Sequence, residues 1–309
     1  MKKRVPIGAL ALCSAFVLEE TYRHAFGRTE PWVFQKLRRH RQGSHGEDFY
    51  RTQASDETVA WKAPHEVFSI RNRRGQPLKG YLWPAGEKRS STVAFIIHGF
   101  RSDGCQAAGP FLSYYKSRGV DVFACDHAGA GESGGQFYGY DYTESLDCRQ
   151  WLHMLTNLYG RQVRILLHGF SMGAATVMRL SDQCPPQVRF LVSDCGFSSA
   201  RDILTYQTNG CRAAYPLLRA VNFLANGFDL KRTDVRPHLR KSILPFLFVH
   251  GTADPTVPYA MAEELFGLCA SSDKQLLAVE GGLHVESYRR AKAAYEEKLD
   301  TYLNKYCPR

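Results

Sequence analysis

Six short runs rich in β-branched and apolar residues constrain this chain more than any other feature. They are Thr92–His98, Val120–Asp126, Val163–His168, Phe190–Asp194, Ile243–His250 and Gln275–Glu280. Several are nearly continuous in apolar residues, without polar alternation. Such runs suit strands buried on both faces, as in a parallel sheet covered by helices above and below. Helical segments fall between them. Asp141–Leu158 carries Leu146, Leu152, Leu155 and Leu158 and opens on Asp141 and Glu144 at capping-box spacing. The end of the chain, from Val285 through Tyr288, Tyr295, Leu299, Tyr302 and Tyr306, reads as one more amphipathic helix. Upstream, His65–Arg71 and Leu78–Trp83 read as two strands around the turn Asn72-Arg73-Arg74-Gly75. The alternation implies an α/β sheet.

One stretch interrupts it. Gly196–Lys241 is too long for a crossover and has helical patches such as Ala213–Ala225. It reads as an inserted lid carrying 8 Lys/Arg against 3 Asp/Glu. At the other end, Met1-Lys2-Lys3-Arg4 precedes an apolar run from Val5 to Leu18, the layout of a signal-anchor. The run is short for a spanning helix, which wants about 20 residues. Residues 1–26 are expected to form an uncleaved membrane anchor. The alternative is an amphipathic helix packed on the domain or lying in the membrane surface. Residues 27–64 read as a basic tether and residues 65–309 as the folded domain. The charges of Lys2, Lys3 and Arg4 would place that domain outside the cytoplasm; Arg23, Arg28, Lys36, Arg38, Arg39 and Arg41 on the far side oppose this.

The net charge of +10 raises the question of nucleic acid. Residues 1–90 hold 17 Lys/Arg against 9 Asp/Glu, whereas residues 91–309 hold 23 against 21. Nucleic-acid binding needs a basic stripe on the folded domain itself, so no nucleic-acid partner is expected. The nine cysteines are too sparse for a disulfide-built miniprotein. Cys125 and Cys195 fall at strand ends and read as small core residues; Cys184, Cys211, Cys269 and Cys307 would be free to pair in an oxidising space. No CxxC spacing or helical histidine cluster suggests a metal, and Gly129–Gly135 is neither a dinucleotide fingerprint nor a phosphate loop. No cofactor is expected.

The chemistry concentrates in Gly169-Phe170-Ser171-Met172-Gly173, between a predicted strand and the helical run Ala174–Leu180. A sharp strand-to-helix turn there lifts one hydroxyl out of the sheet, and glycines two positions either side let neighbouring backbone approach. The alternative is an ordinary N-cap serine. A serine hydroxyl needs a base, and the base an orienting carboxylate. Asp254 follows strand Ile243–His250, and His284 follows strand Gln275–Glu280. Ligands of open α/β sheets gather at those carboxyl ends, so Ser171, Asp254 and His284 are the expected catalytic residues. Asp194 is the alternative acid. The Met172 amide, at a helix start, would donate to a developing oxyanion, and so would the Phe100 amide after strand Thr92–His98. The Phe100 ring would line an acyl pocket or simply pack in the core. The loop Asp126-His127-Ala128-Gly129-Ala130-Gly131-Glu132-Ser133 is expected to serve structure.

Five motifs, His98-Gly99-Phe100, Asp126-x-x-Gly129-x-Gly131-x-Ser133, Gly169-x-Ser171-x-Gly173, His250-Gly251-x-x-Asp254-x-x-Val257-Pro258 and His284, occur in order over roughly residues 65–306. With them the chain resembles the α/β-hydrolase superfamily. Within it, the chain is most similar to single-pass bacterial hydrolases grouped with serine aminopeptidases and monoacylglycerol-lipase-like esterases. The resemblance implies a central, mostly parallel eight-stranded sheet, a lid after the sixth strand, and no metal or organic cofactor. That group often has Arg or Lys where this chain has His127-Ala128. The expected function is a serine hydrolase of a small-molecule carboxylic ester, including acyl lipids, through an acyl-enzyme. An aminopeptidase-like amidase, a silent membrane-tethered binding protein, and haloperoxidase or lyase chemistry on the same fold are the alternatives.

Overall fold

The computed structural model describes residues 19–29, 55–210 and 212–308. Its centre is an eight-stranded sheet: β1 (Glu66–Arg71), β2 (Pro77–Trp83), β3 (Thr92–Ile97), β4 (Asp121–Cys125), β5 (Arg164–Phe170), β6 (Val188–Asp194), β7 (Phe246–Gly251) and β8 (Lys274–Val279). The spatial order is β1-β2-β4-β3-β5-β6-β7-β8. β1–β2 and β2–β4 pair antiparallel, and every later pair is parallel. Each sequence-predicted strand is present, shifted by a few residues at most.

Every residue of β3, β4 and β7 is buried, the reason those runs lack alternation. Within β3, Val93, Phe95 and Ile97 enter one core layer, while Ala94 and Ile96 enter the other. The first layer is closed by α4 (Tyr142–Tyr159) and α5 (Met172–Leu180), through residues such as Trp151, Leu155 and Val177. The second is closed by α3 (Gly104–Ser117) and α11 (Lys292–Tyr306), through Phe111, Tyr295 and Tyr302. α3 starts where the Asp103 carboxylate accepts from the Gln106 N–H at 2.8 Å. α4 starts where Glu144 accepts from the Asp141 N–H at 3.0 Å.

Between β6 and β7 run α6 (Ala200–Gln207), α7 (Ala214–Asn226), a 3-10 turn at Leu230–Thr233 and α8 (Arg236–Leu239). Leu218, Phe228, Leu230, Val235 and Leu239 bury into the first core layer and hold the insertion down. α9 (Tyr259–Leu268) returns the chain to β8. The expected terminal helix is split into α10 (Ser287–Arg290) and α11, with Val285 at φ 63°. The chain must turn sharply after His284 before helix can resume.

The N-terminal expectation requires a correction. Among the described residues, no helix is long and apolar enough to cross a membrane. The apolar run 5–18 lies outside the described residues. Residues 19–26, expected as the end of an anchor, form a helix, α1, docked on the domain. Tyr22 and Phe26 are buried in the first core layer. The Tyr22 hydroxyl meets the Asn222 and Asn226 side chains of α7 at 3.1 and 2.8 Å. A side chain so packed is unavailable to lipid, and the expected membrane-anchored, extracytoplasmic placement is withdrawn. Residues 55–62 form α2. It receives the Trp83 indole N–H at the Ala60 carbonyl, 3.0 Å away, and its Asp56 pairs with Arg289. The seven described cysteines outside position 211 and the N-terminal run, Cys184, Cys269 and Cys307 among them, are free thiols. Cys211 lies outside the described residues.

Candidate active site

Ser171 sits between β5 and α5 with φ 53° and ψ −114°, a left-handed backbone that a non-glycine residue adopts only at a cost of order 1–3 kcal/mol. Neighbouring backbone enforces it. The Ser171 N–H donates to the Asp194 carbonyl at 2.9 Å, and the Ala175 N–H donates to the Ser171 carbonyl at 3.0 Å. A Cβ on Gly173 would stand 2.6 Å from the His98 carbonyl oxygen, and one on Gly169 would stand 2.7 Å from the Ala174 nitrogen. Only glycine allows α5 to pass that close to β3 and β5. Ser171 is left partly exposed on an otherwise buried turn.

Three loops at the carboxyl ends of parallel strands converge on it. His284 Nε2 lies 3.0 Å from Ser171 Oγ, and His284 Nδ1 lies 2.7 Å from Asp254 Oδ2. The other carboxylate oxygen of Asp254 accepts from the Thr256 and Val257 N–H groups at 2.8 and 2.9 Å. Burial would push the Asp254 carboxyl up. Hydrogen bonds from His250 and His284, with the Val257 N–H, outweigh it and hold the group well below the ordinary carboxylate range. An ionised Asp254 only accepts, so His284 carries its proton on Nδ1 and offers Nε2 to the serine hydroxyl. His250 Nε2 stands 3.4 Å from Asp254 and 2.9 Å from the Val257 carbonyl, which fixes the loop from behind.

Asp194, the alternative acid, does not meet His284. Its Oδ2 accepts from the Tyr295 hydroxyl at 3.1 Å. Burial pushes its carboxyl up to about 6, against the lowering influence of His250 and Tyr295. It ends a chain that sequence reasoning missed: Tyr115 OH to His168 Nδ1 at 2.9 Å, His168 Nε2 to Tyr295 OH at 2.8 Å, Tyr295 to Asp194. Burial drives His168 down to about 3, so it is neutral. Tyr295 gives its hydrogen to Asp194, so His168 donates from Nε2 and accepts from Tyr115 at Nδ1. The only sequence signal was a histidine just before the Gly-x-Ser-x-Gly turn and tyrosines at helical spacing.

Gly99 packs on the serine; an added Cβ there would lie 3.2 Å from Ser171 Cβ. That puts Phe100 at the site, its ring 4.8 Å from Tyr138 and 6.0 Å from Tyr140. The Phe100 and Met172 N–H groups donate to no other described group. The Asp126 loop acts as a clasp. Its carboxylate accepts from the Gly104 and Glu132 N–H groups, both at 2.8 Å, and from Tyr81 OH at 2.9 Å. Ser133 Oγ donates to the Asp126 carbonyl at 2.7 Å. Among the described residues neither ring nitrogen of His127 has a hydrogen-bond partner, and its ring lies tilted against that of His98, 4.2 Å between centroids.

Among the described residues, two side-chain groups have metal-ligand chemistry. Cys195, Asp254 and His284 belong to the constellation above, where Asp254 and His284 already bind each other. Buried Cys125, His127 and Cys148 lie within 4.8 Å of one another. Two thiols and an imidazole suit a soft cation but are one ligand short of a closed tetrahedral shell.

Comparison with known proteins agrees with this architecture. Residues 88–197 match the family "Serine aminopeptidase, S33", and residues 227–306 match the family "TAP-like protein". The chain is 26% identical over 247 residues to the uncharacterized protein YqkD of Bacillus subtilis, covering 77% of this chain and 79% of that protein. Among solved structures, the Pyrococcus furiosus esterase Pf2001 aligns with a TM-score of 0.64 at 19% identity, covering 82% of this chain and 95% of that one. Est1E of Butyrivibrio proteoclasticus, with ferulic acid bound, aligns at 0.59 and 17%, covering 78% and 100%. Sheet order, strand-to-helix serine turn and family matches agree: this chain has the α/β-hydrolase fold and is similar to the serine aminopeptidase and TAP-like families.

Proposed function

We propose that this protein is a serine hydrolase that cleaves a small-molecule carboxylic ester through an acyl-enzyme on Ser171. The observation that carries the reading is the position of His284, with Nε2 3.0 Å from the Ser171 hydroxyl and Nδ1 2.7 Å from a buried carboxylate. That is the relation a nucleophile, a base and its orienting acid require. Esterases among the proteins of like fold favour an ester substrate.

In this reading Ser171 Oγ attacks the ester carbonyl carbon while His284 Nε2 takes the hydroxyl proton. Asp254 holds the imidazole and stabilises the imidazolium. The carbonyl electron pair moves onto oxygen, where the Phe100 and Met172 amides receive the charge. Collapse breaks the C–O bond, and His284 returns the proton to the departing alcohol. Water then attacks the acyl-serine, giving its proton to His284, and the acid leaves with Ser171 restored. Residues 65–309 make up the hydrolase domain, with the 196–241 insertion as its lid.

Amide cleavage is the second reading, favoured by the serine aminopeptidase match over residues 88–197. A panel of p-nitrophenyl esters of graded acyl length, run beside amino-acid anilides, separates the two. Ester turnover lost in Ser171→Ala supports the proposal. Faster turnover of an anilide than of any ester overturns the ester preference, and no turnover of either leaves a binding protein of the same fold.

A further inference from the structure

The oxyanion loop is tied to a distant part of the chain. Arg101, the residue after Phe100, has φ 55°, and its guanidinium reaches the C-terminal turn of α1. Its Nη2 donates to the Arg23 and His24 carbonyls at 3.2 and 2.9 Å, and its Nε to the Gly27 carbonyl at 3.3 Å. The Arg23 carbonyl also receives the Gly27 N–H at 2.8 Å, and the last carbonyls of a helix carry the negative end of its dipole, so a guanidinium is a natural cap there. The guanidinium also lies 4.7 Å from the Phe100 ring centroid.

The same N-terminal segment holds the neighbouring loop. The Tyr138 N–H donates to the Phe26 carbonyl at 2.8 Å, and Tyr140 OH donates to the Ala25 carbonyl at 2.8 Å. The Phe26 ring packs 5.0 Å from Tyr140. Arg28 donates to the Ser133 carbonyl at 2.9 Å and to the Gly131 carbonyl. The rings that contact Phe100, Tyr138 and Tyr140, are therefore fixed by residues 25–26, and the loop that carries Phe100 is fixed by residues 23–27.

Resting on the serine-hydrolase reading, we infer that Arg101 is a positioning residue: by clamping the end of α1 to the oxyanion loop it aims the Phe100 N–H at the substrate oxygen, which makes residues 19–28 part of the catalytic unit. Arg101 touches no reacting atom. Its left-handed backbone needs a compensating hold, and three carbonyls supply it. Without that hold the Phe100 amide wanders, and a donor effective only where charge develops loses its advantage in the transition state.

The experiment uses the full-length chain and compares Arg101→Ala and Arg101→Lys with wild type on a p-nitrophenyl ester. Deleting an oxyanion donor costs roughly 100- to 1000-fold in kcat; misaiming one is expected to cost about 10- to 100-fold, with KM within about threefold. Lysine keeps the charge but not the fork, so Arg101→Lys should fall between. Added methylguanidinium, which fits the vacated space, should raise kcat of Arg101→Ala and leave wild type unchanged. A kcat for Arg101→Ala within twofold of wild type overturns the inference. So does a loss accompanied by lowered thermal stability and no response to methylguanidinium, since that marks a purely structural part. If Arg101→Ala does not fold, Arg101→Lys decides by the same kcat and KM criteria; failure of both to fold counts against a positioning role. A wild type without Ser171-dependent turnover refutes the hydrolase reading and this inference with it, whereas an active wild type matched by Arg101→Ala refutes the inference alone.

Discussion

Replacing Asp254 by Asn changes one atom and should disable the base without disturbing the fold. The reason lies in the two carboxylate oxygens. Oδ1 accepts from the Thr256 and Val257 N–H groups at 2.8 and 2.9 Å, while Oδ2 faces His284 Nδ1 at 2.7 Å. An asparagine keeps its oxygen toward the two backbone donors, because the opposite orientation would turn an NH2 against them. Its NH2 then faces His284, whose Nδ1 must become the acceptor. The proton moves to Nε2, and the imidazole points a donor at Ser171 where a base is needed. Recovering the useful tautomer requires flipping the amide and leaving two buried N–H groups unpaired, at about 1–3 kcal/mol each. A total of about 2–6 kcal/mol corresponds to a loss of roughly 30- to 20,000-fold in kcat. The assay is steady-state ester hydrolysis at pH 7–8, with thermal unfolding as the control for folding and nitrogen-15 chemical shifts of His284 to read the tautomer. The reasoning is refuted if Asp254→Asn retains kcat within tenfold of wild type, or if Asp194→Asn costs as much.

Other consequences follow from the packing. Asp194 has a folded pKa raised to about 6, so the native state prefers it protonated and its ionisation costs stability as pH rises from about 4 to 6. The shift from 3.8 is about 2 units, at most about 3 kcal/mol. Asp194→Asn should therefore gain stability in urea unfolding at pH 8 and none at pH 4; an equal gain at both would reject the assignment. Phe26 is fully buried, and Phe26→Ala should cost about 3–5 kcal/mol in the same assay. An unchanged midpoint would mean that α1 is not docked. Gly173→Ala places a methyl group against the Ile97 and His98 carbonyls of the adjoining backbone, so folded protein should show at least tenfold lower kcat; near-wild-type activity would contradict the tight turn.

Much of this arrangement is legible in the amino-acid sequence alone. The strands announce themselves because a strand covered on both faces has no polar side to show; β3, with its residues shared between two core layers, is the clearest instance. Ser171, Asp254 and His284 could be named because each follows a strand, and parallel strands deliver their following loops to one edge. The N-terminal segment misleads for an equally physical reason. The expectation draws residues 19–26 into an anchor, whereas the partners of Tyr22 and Phe26, Asn222 and Tyr140, tie them to the domain; the basic flank and apolar run lie outside the described residues. Those partners lie more than a hundred positions away. Separations of 53 to 127 positions hide the Tyr115–His168–Tyr295–Asp194 chain, and of 74 to 78 the Arg101 clamp, whose members have no spacing that could be read locally.

The central claim is that Ser171 is the nucleophile, and covalent capture tests it most directly. Wild type and Ser171→Ala, both shown to be folded, are treated with a fluorophosphonate, digested with trypsin and read by mass spectrometry. The expected result is one phosphonyl group on the peptide spanning residues 165–179, which contains Ser171, and no adduct in the variant. No labelling of wild type, or equal labelling of Ser171→Ala, would contradict the claim.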